Sequence, residues 1–163
     1  MHDTLLSLAT ELGAALKERN YKLALAESCT GGMATQYITA IAGSSAWLDR
    51  SFITYSNAAK IDMLGISTAT LEKFGAVSEQ TAMEMAKGAL SASLANITAS
   101  ITGIAGPDGG TADKPVGTIC FSICTQEKST TENYTQHFTG TREAIRLQSV
   151  QFLFKQLLIK VSD

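Results

Sequence analysis

The chain has 163 residues, of which 45% are hydrophobic and 17% charged, and its formal net charge is −2. This composition supports a large buried core and excludes a disordered chain, while the length favours one domain over residues 1–163. The charges are spread along the chain without a basic face, which argues against a nucleic-acid-binding protein.

The amino terminus has no targeting segment. Met1-His2-Asp3-Thr4 lacks the basic region and apolar block of a secretion signal. Apolar runs along the chain are shorter than the ~18 residues that cross a bilayer. The three cysteines follow no disulfide framework spacing and are interpreted as free thiols in a reducing compartment. The sequence therefore predicts a cytoplasmic protein without a membrane partner.

Helical and strand patterns alternate from the first residues to the last. Apolar residues three and four apart indicate helices, and short apolar or alternating runs indicate strands. The predicted helices cover residues 4–19, about 30–41, 57–64, 78–93 and 141–161. The predicted strands cover residues 23–26, 51–55, 97–104, 116–124 and 131–139. This order predicts the α/β class, with a mixed sheet in a three-layer α/β/α sandwich.

The closing helix carries two apolar stripes. One is a core face, formed by Leu147, Val150, Phe154, Leu157 and Val161. The other repeats every seven residues at Ile145, Phe152 and Ile159. The second stripe indicates either a deeply buried helix or a subunit interface. The latter interpretation predicts a homo-oligomer, a dimer or larger.

The segment Ala26-Glu27-Ser28-Cys29-Thr30-Gly31-Gly32 follows the first predicted strand and opens a predicted helix. Ser28 therefore falls at the carboxyl end of a strand, where α/β sheets bind ligands. Gly31 and Gly32 let a ligand approach the backbone, and the free amides of a helix start can hold an oxyanion or a phosphate. Alternatively, Ser28 is only a helix cap. Cys29 is a rival nucleophile.

A serine nucleophile needs a base. His2 is terminal, His137 lies in the exposed strand, and the Gly-x-Ser-x-Gly elbow is missing from the sequence. A lysine is therefore the better candidate base. Lys60 lies in the first turn of a predicted helix, where the helix dipole disfavours the ammonium and lowers the pKa of the amine.

Two further side chains complete a candidate anion site. Arg142 lies in the first turn of the closing helix, behind Thr141, where a cation opposes the dipole but can join backbone amides around an anion. Tyr55 precedes Lys60 by five residues and offers a hydroxyl. Taken singly, a cation such as Lys60 or Arg142 is more often an ordinary surface charge, and a buried core tyrosine is the default interpretation of Tyr55.

A glycine-rich segment, Gly103-Ile104-Ala105-Gly106-Pro107-Asp108-Gly109-Gly110, leaves the strand over 97–104. It matches neither a Walker A loop nor the Gly-x-Gly-x-x-Gly fingerprint. It is either backbone shaped against a ligand or a plain tight turn. The cysteine spacing suits no metal, since Cys120 and Cys124 would be about 13 Å apart along a strand at ~3.3 Å per residue. We expect no cofactor and no metal.

Several long motifs resemble the CinA carboxy-terminal domain family. They are residues 26–32, Ile41-Ala42-Gly43-Ser44-Ser45-Ala46-Trp47, residues 54–60, residues 75–78, residues 103–110, Lys114-Pro115-Val116-Gly117-Thr118 and Gly140-Thr141-Arg142. The resemblance covers nearly the whole chain and is greatest to the stand-alone nicotinamide-nucleotide amidases. It implies an oligomeric α/β/α protein that hydrolyses nicotinamide mononucleotide to nicotinate mononucleotide and ammonia.

The resemblance also implies roles for individual residues. The family's serine, lysine, tyrosine and arginine match Ser28, Lys60, Tyr55 and Arg142, so these are the expected catalytic residues. The expected substrate-binding residues are Cys29, Thr30, Gly31, Gly32, Thr102, Gly103 and Gly106. Two other interpretations stay open: a non-catalytic module that binds a nucleotide or a partner protein in competence or DNA damage, and an amidase for another small amide.

Overall fold

The computed structural model describes residues 1–127 and 130–163. Helices and strands are interspersed along these residues, and the α/β class predicted from the sequence is confirmed. The helices are α1 (His2–Glu18), α2 (Met33–Thr39), α3 (Asn57–Leu64), α4 (Thr68–Phe74), α5 (Glu79–Ser91) and α6 (Arg142–Ser162). The strands are β1 (Leu23–Glu27), β2 (Leu48–Ile53), β3 (Ile97–Gly103), β4 (Thr118–Thr125) and β5 (Thr131–His137).

The strands form one mixed sheet in the order β2-β1-β3-β4-β5. β1 runs parallel to both β2 and β3, whereas β4 pairs antiparallel with β3 and with β5. The carboxyl ends of β1, β2 and β3 therefore meet at one edge, where Glu27 is in register with both Ile53 and Ile101. The segments that leave these strands become neighbours in space, as is typical of ligand sites in α/β sheets.

Helices cover both faces of the sheet. On one face α1, α2 and α6 pack on the strands, with Leu12, Ile38 and Phe154 among the side chains buried against Phe121. On the other face α5 lies along the sheet, and its Met85 belongs to a smaller apolar cluster. Burying one such side chain contributes about 1.5–3 kcal/mol, so these two layers fix the sheet and its edge.

Two elements begin three residues away from their predicted starts, and one helix was not predicted. α2 begins at Met33 and not near residue 30, because Gly31 and Gly32 take positive φ angles of 57° and 100° that keep the chain in a turn. β2 begins at Leu48 and not at 51, since this half-buried edge strand has no clear apolar pattern. α4 was not predicted at all; it buries no residue and therefore shows no apolar period.

The second stripe of α6 is covered by the chain itself. Ile145 is buried in the core, and the Phe152 ring packs against Phe121, Tyr134 and Phe138. Only Ile159 of this stripe is exposed. Most of this stripe is therefore covered within the chain, as in the deeply buried helix interpretation, and homo-oligomer formation stays a prediction. Within the described ranges, the helices are too short or too polar to span a membrane.

Candidate active site

A cleft of about 320 Å³ opens at the carboxyl edge of the parallel strands. Its walls come from the turn after β1, the start of α3, the loop before α5, the glycine-rich segment after β3 and the first turn of α6. Ser28, Tyr55, Lys60 and Arg142 all line this cleft. The topology thus brings together four residues that the sequence separates by up to 114 positions (142 − 28).

Ser28 and Lys60 are in direct contact at the inner end of the cleft. Lys60 Nζ lies 3.0 Å from Ser28 Oγ, and the lysine side chain is buried with 1% of its surface exposed. The same nitrogen donates to the carbonyl oxygens of Thr54 at 2.8 Å and Tyr55 at 3.3 Å. Lys60 reaches this position because Ser56 caps α3 through the Ala59 amide, which places the lysine at the beginning of the helix.

The surroundings of Lys60 suit a neutral amine. Burial lowers the pKa of Lys60 below its usual value, because an ammonium loses hydration there. A neutral amine has two N–H groups and one lone pair. If the N–H groups point at the two carbonyls, the lone pair is left for the Ser28 hydroxyl, which is the arrangement of a nucleophile and its base.

Cys29 is a poor rival to Ser28. Its side chain belongs to the apolar core, and burial raises the pKa of the thiol to about 12. The reactive species of cysteine is the thiolate, so a thiol with this pKa is unreactive near neutral pH.

The histidines lie outside the cleft, as the sequence indicated. His2 Nδ1 pairs with the Tyr37 hydroxyl at 3.1 Å near the amino terminus. His137 is exposed at the end of β5 and lines a different pocket. Lys60 is therefore the titratable group that is placed to accept the Ser28 proton.

Arg142 faces the mouth of the cleft. Its Nη1 donates to the Gly106 carbonyl at 2.7 Å, and its Nη2 lies 3.3 Å from the Tyr55 hydroxyl. The side chain is exposed, as is that of Tyr55. The lowered pKa of Lys60 comes from burial and not from the charge of Arg142. Arg142 thus presents a guanidinium to solvent at the mouth of the cleft.

The predicted substrate-binding residues divide into two groups. Cys29, Thr102, Gly103 and Gly106 line the cleft, whereas Thr30, Gly31 and Gly32 do not. The sequence predicted that the amides at the start of α2 are free to hold an oxyanion. Two of them are not free, because the amides of Ala34 and Thr35 donate hydrogen bonds to the Glu27 carboxylate at 3.0 Å. Within the described ranges, the amide of Cys29 donates to no other residue.

The glycine-rich segment forms one wall of the cleft for two different reasons. At Gly103, a Cβ atom would lie 2.7 Å from the Thr118 carbonyl oxygen, so close packing of β4 requires glycine there. At Gly106, φ is 81° and the carbonyl faces Arg142. The hydroxyl of Thr102 donates to the Ala76 carbonyl at 2.8 Å and holds the loop before α5 against this wall.

The sequence interpretation missed two charged residues beside the nucleophile. Glu27 is fully buried at the end of β1, and Arg146 reaches from α6 to the turn after Ser28. A charge ending an apolar strand and an arginine four residues after Arg142 were the available signals. Groups of His, Cys, Asp and Glu suited to hold a metal do not occur among residues 1–127 and 130–163.

Comparisons of sequence and of structure with known proteins both identify the same protein family. The family described as the CinA C-terminal domain matches residues 5–161. The nicotinamide-nucleotide amidohydrolase PncC of Enterobacter agglomerans is 52% identical over 93% of this chain and 92% of its own length. PncC of Escherichia coli K12 is 48% identical over 94% and 92%.

Solved structures show the same fold. The competence/damage inducible protein CihA of Agrobacterium tumefaciens superposes with a TM-score of 0.94 at 42% identity, covering 98% of this chain and 96% of that one. A CinA superfamily protein of Klebsiella pneumoniae gives 0.93 at 35% identity, with 97% and 98% covered.

Proposed function

The chain belongs to the CinA C-terminal domain family, and from this premise we propose that it hydrolyses the carboxamide of nicotinamide mononucleotide to nicotinate mononucleotide and ammonia. The PncC relatives, named as nicotinamide-nucleotide amidohydrolases, support the substrate. The observation that carries the chemistry is the 3.0 Å contact between Lys60 Nζ and Ser28 Oγ at the inner end of the cleft.

The first half of the reaction forms an acyl-enzyme. Neutral Lys60 takes the hydroxyl proton of Ser28 while Oγ attacks the carboxamide carbon, giving a tetrahedral intermediate with an oxyanion. The amide of Cys29, the residue that follows the nucleophile in the chain, is proposed to stabilise this charge. Lys60 then gives its proton to the leaving nitrogen, the C–N bond breaks, and ammonia departs from a nicotinoyl ester of Ser28.

The second half of the reaction returns the enzyme to its starting state. Lys60, neutral again, takes a proton from water, and the hydroxide attacks the ester carbon. Collapse of this second intermediate breaks the bond to Ser28 Oγ, which recovers its proton from Lys60. Proton count and charge balance over the cycle, and the products are the carboxylic acid and ammonia.

Arg142 and the glycine-rich wall are proposed to bind the rest of the substrate. The guanidinium is exposed at the mouth of the cleft and already oriented by the Gly106 carbonyl and the Tyr55 hydroxyl. A planar guanidinium matches the oxygens of a phosphate, so the 5′-phosphate is the group we assign to it. A cleft of about 320 Å³ is within the usual range for small-molecule sites.

The test is ammonia release by the purified full chain. It should release ammonia from nicotinamide mononucleotide faster than from free nicotinamide, and exhaustive EDTA treatment should leave the rate unchanged. The Ser28→Ala variant should lose activity by about 10⁴-fold or more, because the covalent route is lost, and should keep its fold and substrate affinity.

Each contrary result has a distinct meaning. Binding of the nucleotide without ammonia release by the wild type would support the non-catalytic module. Faster release from another small amide would change the substrate and keep the mechanism. A Ser28→Ala variant with near-normal turnover would exclude the serine mechanism.

A further inference from the structure

The turn that carries Ser28 is held on two sides by charged residues that do not line the cleft. Glu27 precedes the turn and is fully buried. Arg146 approaches from α6 on the other side of the chain. The mechanism above uses neither residue, although both contact the backbone or side chains immediately around the nucleophile.

Glu27 accepts hydrogen bonds from groups within and after the turn. Its carboxylate accepts from the Thr30 hydroxyl at 2.6 Å and from the amides of Ala34 and Thr35 at 3.0 Å each. These bonds join the end of β1 to the first turn of α2. They fix where the chain re-enters a helix and so fix the far end of the turn.

Arg146 donates hydrogen bonds to backbone carbonyl groups of the same turn. Its Nε donates to the Cys29 carbonyl at 3.1 Å and its Nη2 to the Thr30 carbonyl at 2.9 Å. Cys29 is 7% exposed and Thr30 is fully buried, so water has little access to these two oxygens. One planar guanidinium therefore fixes the peptide groups that follow Cys29 and Thr30.

Peptide planarity connects these contacts to the reaction. The Ser28 carbonyl accepts from the Gly31 amide at 3.0 Å, and in a trans peptide the N–H of Cys29 points the opposite way. The Gly31 amide belongs to the same planar peptide group as the Thr30 carbonyl, to which Arg146 donates, so Arg146 helps to hold the contact that sets this direction. We propose that Arg146 is a positioning residue, which holds the Cys29 amide in place for the oxyanion.

The inference rests on the proposed acyl-transfer function and adds a role for α6. Arg142 and Arg146 are four residues apart and therefore lie on the same side of the helix. One contacts the mouth of the cleft and the other the nucleophile turn. A single helix thus sets the distance between the substrate-facing guanidinium and the reacting serine.

The experiment compares Arg146→Ala with a matched arginine variant. Arg19 Nη1 donates to the Val161 carbonyl at 2.9 Å, a similar part-buried bond between an arginine and a backbone oxygen, and Arg19 does not line the cleft. Arg146→Ala should lower kcat for ammonia release by about 10–100-fold with KM changed less than threefold, since a small misplacement of a catalytic group has this effect. Arg19→Ala should keep the wild-type kcat.

Arg146→Lys gives a second reading if the alanine variant does not fold. A lysine ammonium can bond one of the two carbonyls but lacks the planar fork, so its kcat should fall between those of the wild type and Arg146→Ala. Thermal unfolding of all variants checks that the folded state is being compared. The inference is overturned if folded Arg146→Ala or Arg146→Lys loses no more kcat than Arg19→Ala, or if the loss is in KM alone.

A separate measurement distinguishes failure of the inference from failure of the proposed function. A wild-type chain without activity on nicotinamide mononucleotide would contradict the function. Labelling of Ser28 by a fluorophosphonate, followed by intact-mass spectrometry, then reads the same geometry without that substrate. The inference predicts slower labelling of Arg146→Ala than of Arg19→Ala, and equal labelling rates contradict it.

Discussion

The inner and outer walls of the cleft are built differently. On the inner wall Ser28 and Lys60 are buried and their polar atoms are in contact with each other and with backbone carbonyls. On the outer wall Arg142 is exposed and Tyr55 has 63% of its surface exposed. A neutral lysine requires the absence of water, whereas a site that admits a charged ligand must be open to it.

This difference has a kinetic consequence. Groups on the inner wall act on charge that develops only during the reaction, so their loss should lower kcat. Groups on the outer wall contact a part of the substrate that does not change during the reaction, so their loss should raise KM. The following predictions test this division by the kinetics of ammonia release and, for Lys60, also by the free energy of unfolding against pH.

Among these predictions, the largest effect is expected at Lys60. Lys60→Met removes the base with little change in volume, and kcat should fall by about 10³–10⁴-fold with little change in KM. Lys60→Arg keeps a cation, but a guanidinium stays protonated near neutral pH and cannot act as a base, so this variant should be equally inactive. An Arg variant with substantial activity and an unchanged pH profile would make Lys60 an electrostatic ligand and place the base elsewhere.

The same residue sets the pH dependence. Because burial lowers the pKa of Lys60, kcat of the wild type should rise with pH through an ionisation below the lysine reference of ~10.4. Between the folded and unfolded pKa values the unfolded chain binds more protons, so the free energy of unfolding should also rise with pH in that window. Lys60→Met should lack this rise, and a parallel rise in both proteins would contradict the assignment.

Sequence patterns predicted most of the helices and strands and the four side chains that meet in the cleft. β1, β3 and β4 are buried on both faces because helices cover both, and the placement of Ser28 at the site follows from its position at the end of a buried strand. The site needs parallel strands to bring their carboxyl ends together, which the alternation of elements already implies.

The features that the sequence did not predict depend mainly on hydrogen-bond partners that cannot be identified from the sequence. The sequence predicted free amides at the start of α2, but two of these amides donate hydrogen bonds to the Glu27 carboxylate. Arg146 looked like one more helix charge, because its acceptors are backbone oxygens 116 and 117 residues away in the chain. α4 escaped prediction because it has no buried face.

An intermediate effect is expected at Arg142. Arg142→Gln should raise KM for nicotinamide mononucleotide by about 10–100-fold, the equivalent of the ~1.5–3 kcal/mol typical of a hydrogen bond to a charged group, and kcat should stay within threefold. Nicotinamide riboside provides the control because it lacks the phosphate. The substitution should leave its kinetics nearly unchanged, and equal losses on both substrates would remove the phosphate from Arg142.

The smallest effect is expected at Tyr55, which belongs to both walls. Its backbone carbonyl accepts from Lys60 Nζ, whereas its hydroxyl lies at the mouth, 3.3 Å from Arg142 Nη2. Tyr55→Phe keeps the carbonyl and removes only the hydroxyl, so kcat should stay within about threefold and KM should rise about two- to fivefold, because the lost contact with Arg142 is long and exposed to solvent. A proton relay through the hydroxyl would give the opposite result. If Tyr55→Phe lowers kcat by more than 100-fold at constant KM, the hydroxyl takes part in proton transfer, and the outer wall contributes to the chemistry as well as to binding.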